Sequence, residues 1–180
     1  MKIAFLDAAT MGDVSFEPIA CLGDFVAYEN STPEEARERV KGLDVIIVNK
    51  VLVDKTLIDS ADNLKLICIS ATGVNNIDVD YAASKGIPVR NVAGYSTDSV
   101  AQSTFMHILS LVGGSQYFDR SVKSGDYSRS GMFTDPKWNW NELAGKTIGI
   151  IGLGNIGRKV AMIAEAFGMK VCYFSTSGTG

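Results

Sequence analysis

Three glycines in the spacing G-x-G-x-x-G, Gly152, Gly154 and Gly157, follow the apolar run Thr147-Ile148-Gly149-Ile150-Ile151. The residues after Gly157 can continue as a helix. That arrangement is suited to holding the pyrophosphate of a dinucleotide. Gly152 permits a tight turn at the end of the strand, and Gly154 leaves room for the diphosphate to approach the backbone. Gly157 lets the helix pack closely on the strand. The first N–H groups of the helix have no intrahelical acceptor and carry a partial positive charge, which favours an anion.

The elements that must position this turn are legible as a pattern. Residues 2–6, 25–28, 44–48, 64–69 and 87–90 are apolar runs of strand length, and helical segments are expected over 14–22, 54–61 and 78–85. A further helix opens at Ser31-Thr32-Pro33-Glu34-Glu35, where Thr32 can cap, Pro33 suits the first helical position and Glu35 completes a capping box; Gly42 ends it. The 44–48 run is apolar almost throughout, as expected of a strand covered on both faces. Pro88 marks the fifth strand as an edge strand. Alternation of this kind predicts a parallel, doubly wound α/β sheet. From Ser96 to about Lys123, Val100, Phe105, Ile108, Leu109 and Val112 recur at helical spacing, which predicts one long helix, with Gly113-Gly114 as the place where it can bend. Residues 125–143 read as a polar loop whose Phe133, Trp138 and Trp140 anchor it by packing. Residues 175–180 read as a loose polar tail.

Composition narrows the partners. A net charge of -3 and a pI near 5.2 argue against nucleic acid as a ligand. No apolar run reaches the ~20 residues of a membrane span, and the first residues are too short and too soon acidic for a signal peptide. Cys21, Cys68 and Cys172 are odd in number and widely spaced, and are expected to be reduced, with Cys68 and Cys172 buried in strands, which points to the cytoplasm. No metal site is expected. His107, the only histidine, has apolar neighbours and is expected to pack within its helix rather than to act in catalysis.

Four segments resemble the D-isomer-specific 2-hydroxyacid dehydrogenases, the group that includes glycerate and phosphoglycerate dehydrogenases. They are Val48-Asn49-Lys50-Val51, the run from Ser70 through Thr72-Gly73-Val74 to Asp78, Ser96-Thr97-Asp98-Ser99-Val100-Ala101, and Glu142 through Gly157. The resemblance covers nearly the whole chain. It implies a flavodoxin-like parallel-sheet substrate domain over residues 1–97, followed by the first βαβ part of a Rossmann nucleotide-binding domain over 98–180. The implied reaction is reversible hydride transfer between NAD or NADP and the C2 atom of a small D-2-hydroxy or 2-oxo acid.

Carried onto this sequence, the resemblance makes the backbone N–H groups of Gly73 and Val74 a clamp for the substrate carboxylate, with Gly73 allowing the turn. Thr72 would face the cofactor. Asn49 and Lys50 follow the third strand, at the edge where open sheets bind ligands; Lys50 would either add a point charge for an anion or stand solvated. Asn155 and Ile156 would meet the pyrophosphate through their backbones. NAD enzymes usually place an acidic residue roughly 20 residues beyond the glycine turn. Here Ser175 and Thr176 stand at that place, hydroxyls that would not repel a 2′-phosphate, and NADP stays open. The family's catalytic Arg, Glu and His would lie beyond residue 180, so no catalytic residue is expected in this chain. A sequence ending at Gly180 is thus expected to be truncated, inactive alone, and prone to form a homodimer through its long helix and an open sheet edge. The alternative is a nicotinamide-sensing corepressor on the same scaffold.

Overall fold

The computed structural model describes residues 1–175. The chain divides into two compact units, Met1–Ala93 and Gly94–Gly180.

In the first unit the apolar runs form five parallel strands: β1 (Lys2–Phe5), β2 (Asp24–Ala27), β3 (Val45–Val48), β4 (Leu66–Ile69) and β5 (Val89–Arg90). Their order is β2-β1-β3-β4-β5, so β3 is central and the short β5 lies at an edge, where Pro88 needs no N–H and its carbonyl still accepts from Ile67 N–H at 3.0 Å. Val45 pairs with Leu66 and Val48 with Ile69, which brings the carboxyl ends of β3 and β4 level. The connections are α1 (Glu17–Ala20), α2 (Pro33–Arg39), α3 (Lys55–Asp59) and α4 (Val79–Ser84). The expected helix over 14–22 is only one turn, and a separate 3-10 turn covers Ala8–Met11. Pro18 sits at the start of α1, and Gly23 follows it closely, so the segment has room for little more. The capping box of α2 is formed: Glu35 N–H donates to Thr32 Oγ1 at 3.2 Å and Thr32 N–H to Glu35 Oε2 at 2.9 Å.

Alternation along the strands sorts the core. Ala4, Leu6, Ile46, Val48, Ile67 and Ile69 are buried in one cluster with Ala36, Val40, Leu57, Ile58 and Ala82 of the helices. The opposite face carries Ile3, Phe5, Val45, Ile47, Leu66 and Cys68, and borders an apolar cavity of about 410 Å³ that Phe16 and Ile19 also line. Burial pushes the Cys68 thiol pKa up.

The second unit contains α5 (Thr97–Gly113), α6 (Ser115–Lys123), α7 (Asp126–Ser130), β6 (Thr147–Ile151), α8 (Asn155–Ala166) and β7 (Lys170–Phe174). The expected single helix is two helices. Gly114 has φ 63°, which ends α5 in a left-handed cap. A Cβ there would lie 2.2 Å from the Trp138 ring, so the break is also where the indole docks. Trp138 stacks on Tyr117 with centroids 5.2 Å apart, and the Tyr117 hydroxyl donates to Asp135 at 2.7 Å. Trp140 touches Gly113 with its ring edge but is 67% exposed, and Phe133 is exposed as well, so Trp138 alone of the three aromatics is a packed anchor. That segment is not all loop, because α7 occupies part of it.

β6 and β7 are parallel, in register from Thr147↔Lys170 to Ile151↔Phe174. Gly157, Val160 and Ala164 recur along one side of α8 and are buried. Val160 and Ala164 join Ala101, Phe105 and Leu143 in the core, and Phe105 stacks on Phe167 at 5.4 Å. His107 is exposed on α5 instead of packed, since Ala101 and Phe105 occupy the buried side. The thiols also differ from expectation. All three are free, but Cys21 and Cys172 are exposed and Cys68 is only half-buried. Cys172 points to the face of β7 away from the core, where Val171 is the residue that packs inward. No helix among the described residues is long and apolar enough to cross a membrane.

Candidate functional site

In the second unit, the strand-to-helix junction of β6 and α8 holds all three motif glycines. Gly152 has φ 86°, a conformation that would strain any other residue, and its N–H donates to the Phe174 carbonyl at 2.9 Å. Gly157 is buried against that turn: a Cβ on it would stand 2.3 Å from the Gly152 carbonyl oxygen. Gly154 caps α8 without a side-chain hydrogen bond, and a Cβ there would meet no atom within 4 Å. The N–H groups of Leu153, Gly154, Asn155, Ile156 and Gly157 have no acceptor among the described residues. Arg158 Nε donates to the Leu153 carbonyl at 3.1 Å and braces the loop.

Unspent donors around an open glycine at a helix N-terminus form a cradle that can accept an anion. Ser175 follows β7 immediately and is half-buried. Thr176 and the rest of the expected polar tail lie outside the described residues.

In the first unit, every strand is parallel, so the carboxyl ends of β1, β3, β4 and β5 share one edge. The segment Asn49-Lys50-Val51 leaves β3 there. Its backbone is tied by Asp7, a residue with no role among the sequence expectations. Asp7 stands just beyond β1, is 4% exposed, and its carboxylate accepts from Asn49 N–H at 2.8 Å, Lys50 N–H at 2.5 Å and Val51 N–H at 3.0 Å. A second unassigned residue, Asn76, holds the same segment by its carbonyls: Nδ2 donates to Val51 O at 2.7 Å and Asn49 O at 3.4 Å. An acidic residue closing an otherwise apolar first strand was the available signal for Asp7. Asn76 carried none apart from lying inside the Ser70–Asp78 segment.

With its amides turned inward, the 49–51 segment can offer an anion no backbone donor, only its side chains. The Asn49 amide is half-buried and the Lys50 ammonium exposed, and neither has a hydrogen bond or ion pair among the described residues. The turn after β4 behaves oppositely. The N–H groups of Gly73 and Val74 have no acceptor among the described residues, while Ile77 N–H closes the turn on the Val74 carbonyl at 2.9 Å. Gly73 does not take a positive φ, so it is not required by backbone conformation. Its contribution is space: the nearest atom to a Cβ is the Asn75 side chain at 3.9 Å. Thr72 is engaged within the turn, its hydroxyl donating to Val92 O at 3.0 Å while its carbonyl receives Asn91 Nδ2 at 2.7 Å.

A family description, D-isomer specific 2-hydroxyacid dehydrogenase, catalytic domain, matches residues 3–179. A putative 2-hydroxyacid dehydrogenase of Haemophilus influenzae is 35% identical over 174 residues, covering 96% of this chain and 55% of that protein. An acyclic imino acid reductase solved with NADPH and D-Arg aligns over 100% of this chain and 58% of its own, at TM-score 0.83 and 31% identity. The D-lactate dehydrogenase of Aquifex aeolicus, solved with NAD and lactic acid, aligns over 97% of this chain and 51% of its own, at TM-score 0.80 and 29% identity. The chain spans about half the length of the curated relatives it matches. With one strand-turn-helix cradle and one parallel sheet of the matching kind, the chain belongs to the D-isomer-specific 2-hydroxyacid dehydrogenases.

Proposed function

We propose that this chain serves an NAD(P)-dependent oxidoreductase acting on the CH–OH group of a small D-2-hydroxy acid. The observation that carries this reading is a pair of backbone donor sets left unspent by folding, one at Gly154–Gly157 and one at Gly73–Val74. Gly152, Gly154, Asn155, Ile156 and Gly157 would hold the cofactor pyrophosphate, with Ser175 and Thr176 toward the adenosine ribose and Thr72 beside the cofactor. A bound nicotinamide supplies or accepts the hydride. The Gly73 and Val74 amides hold and orient the acid's carboxylate, Lys50 adds a positive charge, and Asn49 a hydrogen-bonding amide. Both NAD and NADP suit the cradle, whose contacts are to the diphosphate they share.

The chain's single histidine, His107, lies on α5, so the first unit has no imidazole to exchange a proton with the substrate hydroxyl. Turnover by the 180-residue chain alone is accordingly expected to be weak or absent, while ligand binding is expected to remain. Exposed apolar side chains of the second unit, among them Met106, Leu111, Ile151 and Phe174, suit pairing with a second copy. Three unpaired thiols favour a reducing compartment, the cytoplasm.

The test is titration of the purified chain with NADH, NADPH and oxamate, an unreactive 2-oxo acid analogue, followed by amide NMR. Shifts at Gly154–Gly157 with either nucleotide and at Gly73 and Val74 with oxamate are expected. Oxamate shifts confined to other residues would overturn the substrate assignment, and nucleotide shifts elsewhere the cofactor assignment.

A further inference from the structure

The Gly73-Val74 turn and the Lys50 segment are joined by a continuous set of hydrogen bonds that begins at the buried Asp7 carboxylate. Asp7 takes the three amides of residues 49–51. Asn76 takes two carbonyls of the same segment. The Asn76 carbonyl in turn receives Val53 N–H at 2.7 Å, and Val53 O receives Asp78 N–H at 2.9 Å. Val53 and Ile77 form an isolated parallel bridge, and Ile77 N–H closes on the Val74 carbonyl. Both loops leave adjacent strands whose ends are level, because Ser70 N–H bonds Val48 O at 2.9 Å.

We propose that Asp7 and Asn76 are positioning residues for substrate: together they fix the Lys50 side chain at a set distance from the Gly73 and Val74 amides. The inference rests on the reading of those amides as the carboxylate clamp. Three inward amides restrain the 49–51 backbone, which ties the Lys50 Cα into the same hydrogen-bonded network as the Gly73-Val74 turn. Lys50 carries a long flexible stem, and anchoring its backbone limits where the ammonium can reach. Asp7 suits this task because a carboxylate offers only acceptors. An asparagine of the same shape would keep one acceptor oxygen but set its NH₂ group against at least one of the three N–H donors, loosening the hold on residues 49–51 while keeping the volume.

The experiment is a double-mutant cycle on the 180-residue chain, with oxamate as probe and the Gly73 and Val74 amide shifts as readout. Asp7→Asn is combined with Lys50→Met, and Asn76→Ala with Lys50→Met, the second pair serving if Asp7→Asn does not fold. Each Asp7 or Asn76 variant should weaken oxamate binding on the order of tenfold when Lys50 is present, the size of one charge-assisted contact. The same change should have almost no effect once Lys50 is methionine. Equal losses in both backgrounds would show that Asp7 and Asn76 support the fold alone, overturning the proposal while leaving the clamp intact. If the unsubstituted chain shows no oxamate shift at Gly73 and Val74, the clamp itself is wrong, and the positioning role falls with it.

Discussion

Gly157 sits directly beneath the Gly152 carbonyl, with 2.3 Å between that oxygen and the place a Cβ would occupy. Gly154, between them in sequence, faces open space. The three motif glycines thus do different work, and substitution separates them. Gly157→Ala forces α8 away from β6, because a backbone carbonyl cannot move aside as a flexible side chain can. It should destabilise by about 1–3 kcal/mol, as overpacking does, and also lose nucleotide binding. Gly154→Ala has an ordinary φ of -75° and no clash, so its stability should stay within roughly ±0.5 kcal/mol. Its methyl nevertheless fills the approach to the free amides. Denaturant unfolding together with NADH titration reads both. Equal nucleotide loss with equal destabilisation in the two variants would count against this division.

Gly73 resembles Gly154 in having room rather than strain. Gly73→Ala should fold normally, since the nearest side-chain atom is 3.9 Å away and φ is not positive. Oxamate binding should weaken by about tenfold or more if the methyl intrudes on the carboxylate's place, a loss comparable to one hydrogen bond to a charged group. Thermal midpoint and oxamate titration separate the two effects. A variant that binds oxamate as the parent does would move the clamp elsewhere.

Much of this arrangement was legible beforehand because it depends on short-range rules. The Thr32–Glu35 capping box, the five apolar runs and the Pro88 edge strand each follow from a few neighbouring residues, and each is present. The helix break at Gly114 was only half-legible. Two glycines signal a bend, but the left-handed cap is secured by Trp138, 24 residues further on. His107 shows the converse error. Its apolar neighbours suggested burial, yet helical phase turns Phe105 inward and His107 outward. In the candidate site, the glycine cradle announced itself, whereas Asp7 did not. Its partners lie 42 to 44 residues away, and a long-range bond to a backbone amide leaves no local spacing to read.

At the opposite end of the sheet, Asp44 joins the starts of β1, β3 and β4. Its carboxylate accepts from Lys65 Nζ at 2.6 Å, from Lys2 N–H at 2.7 Å and from Asn63 at 3.0 Å. The Lys65 hydrogen bond first, and the Lys2 amide second, lower its pKa from 3.8 to about 2. Between those two values the unfolded chain binds the proton and the folded chain does not. This contribution to stability is therefore complete above the unfolded value and lost as pH falls toward 2. Lys65→Met should lower the thermal midpoint at neutral pH, and its difference from the parent should shrink through pH 4 and vanish near pH 2. A difference independent of pH would mean that Lys65 acts by packing alone.

The outward faces of β6 and β7 bear on assembly. Ile148, Ile150 and Val171 pack inward on the α5–α8 core. Alternation then sends Ile151 and Phe174 outward, where they are 83% and 68% exposed. On α5, Leu111 is 77% exposed, and Met106 is exposed as well. Apolar side chains on so small a sheet and on one long helix are costly to leave in water. The chain is expected to be a dimer at micromolar concentration. Ile151→Lys with Phe174→Lys should return it to the monomer if the sheet face pairs, and Leu111→Lys should do so if the helix does. These sites lie outside both sets of unspent amides, so oxamate shifts at Gly73 and Val74 should survive either change. Sedimentation or light scattering decides the matter. A monomeric parent chain, or a dimer indifferent to all three substitutions, would remove these surfaces as the interface.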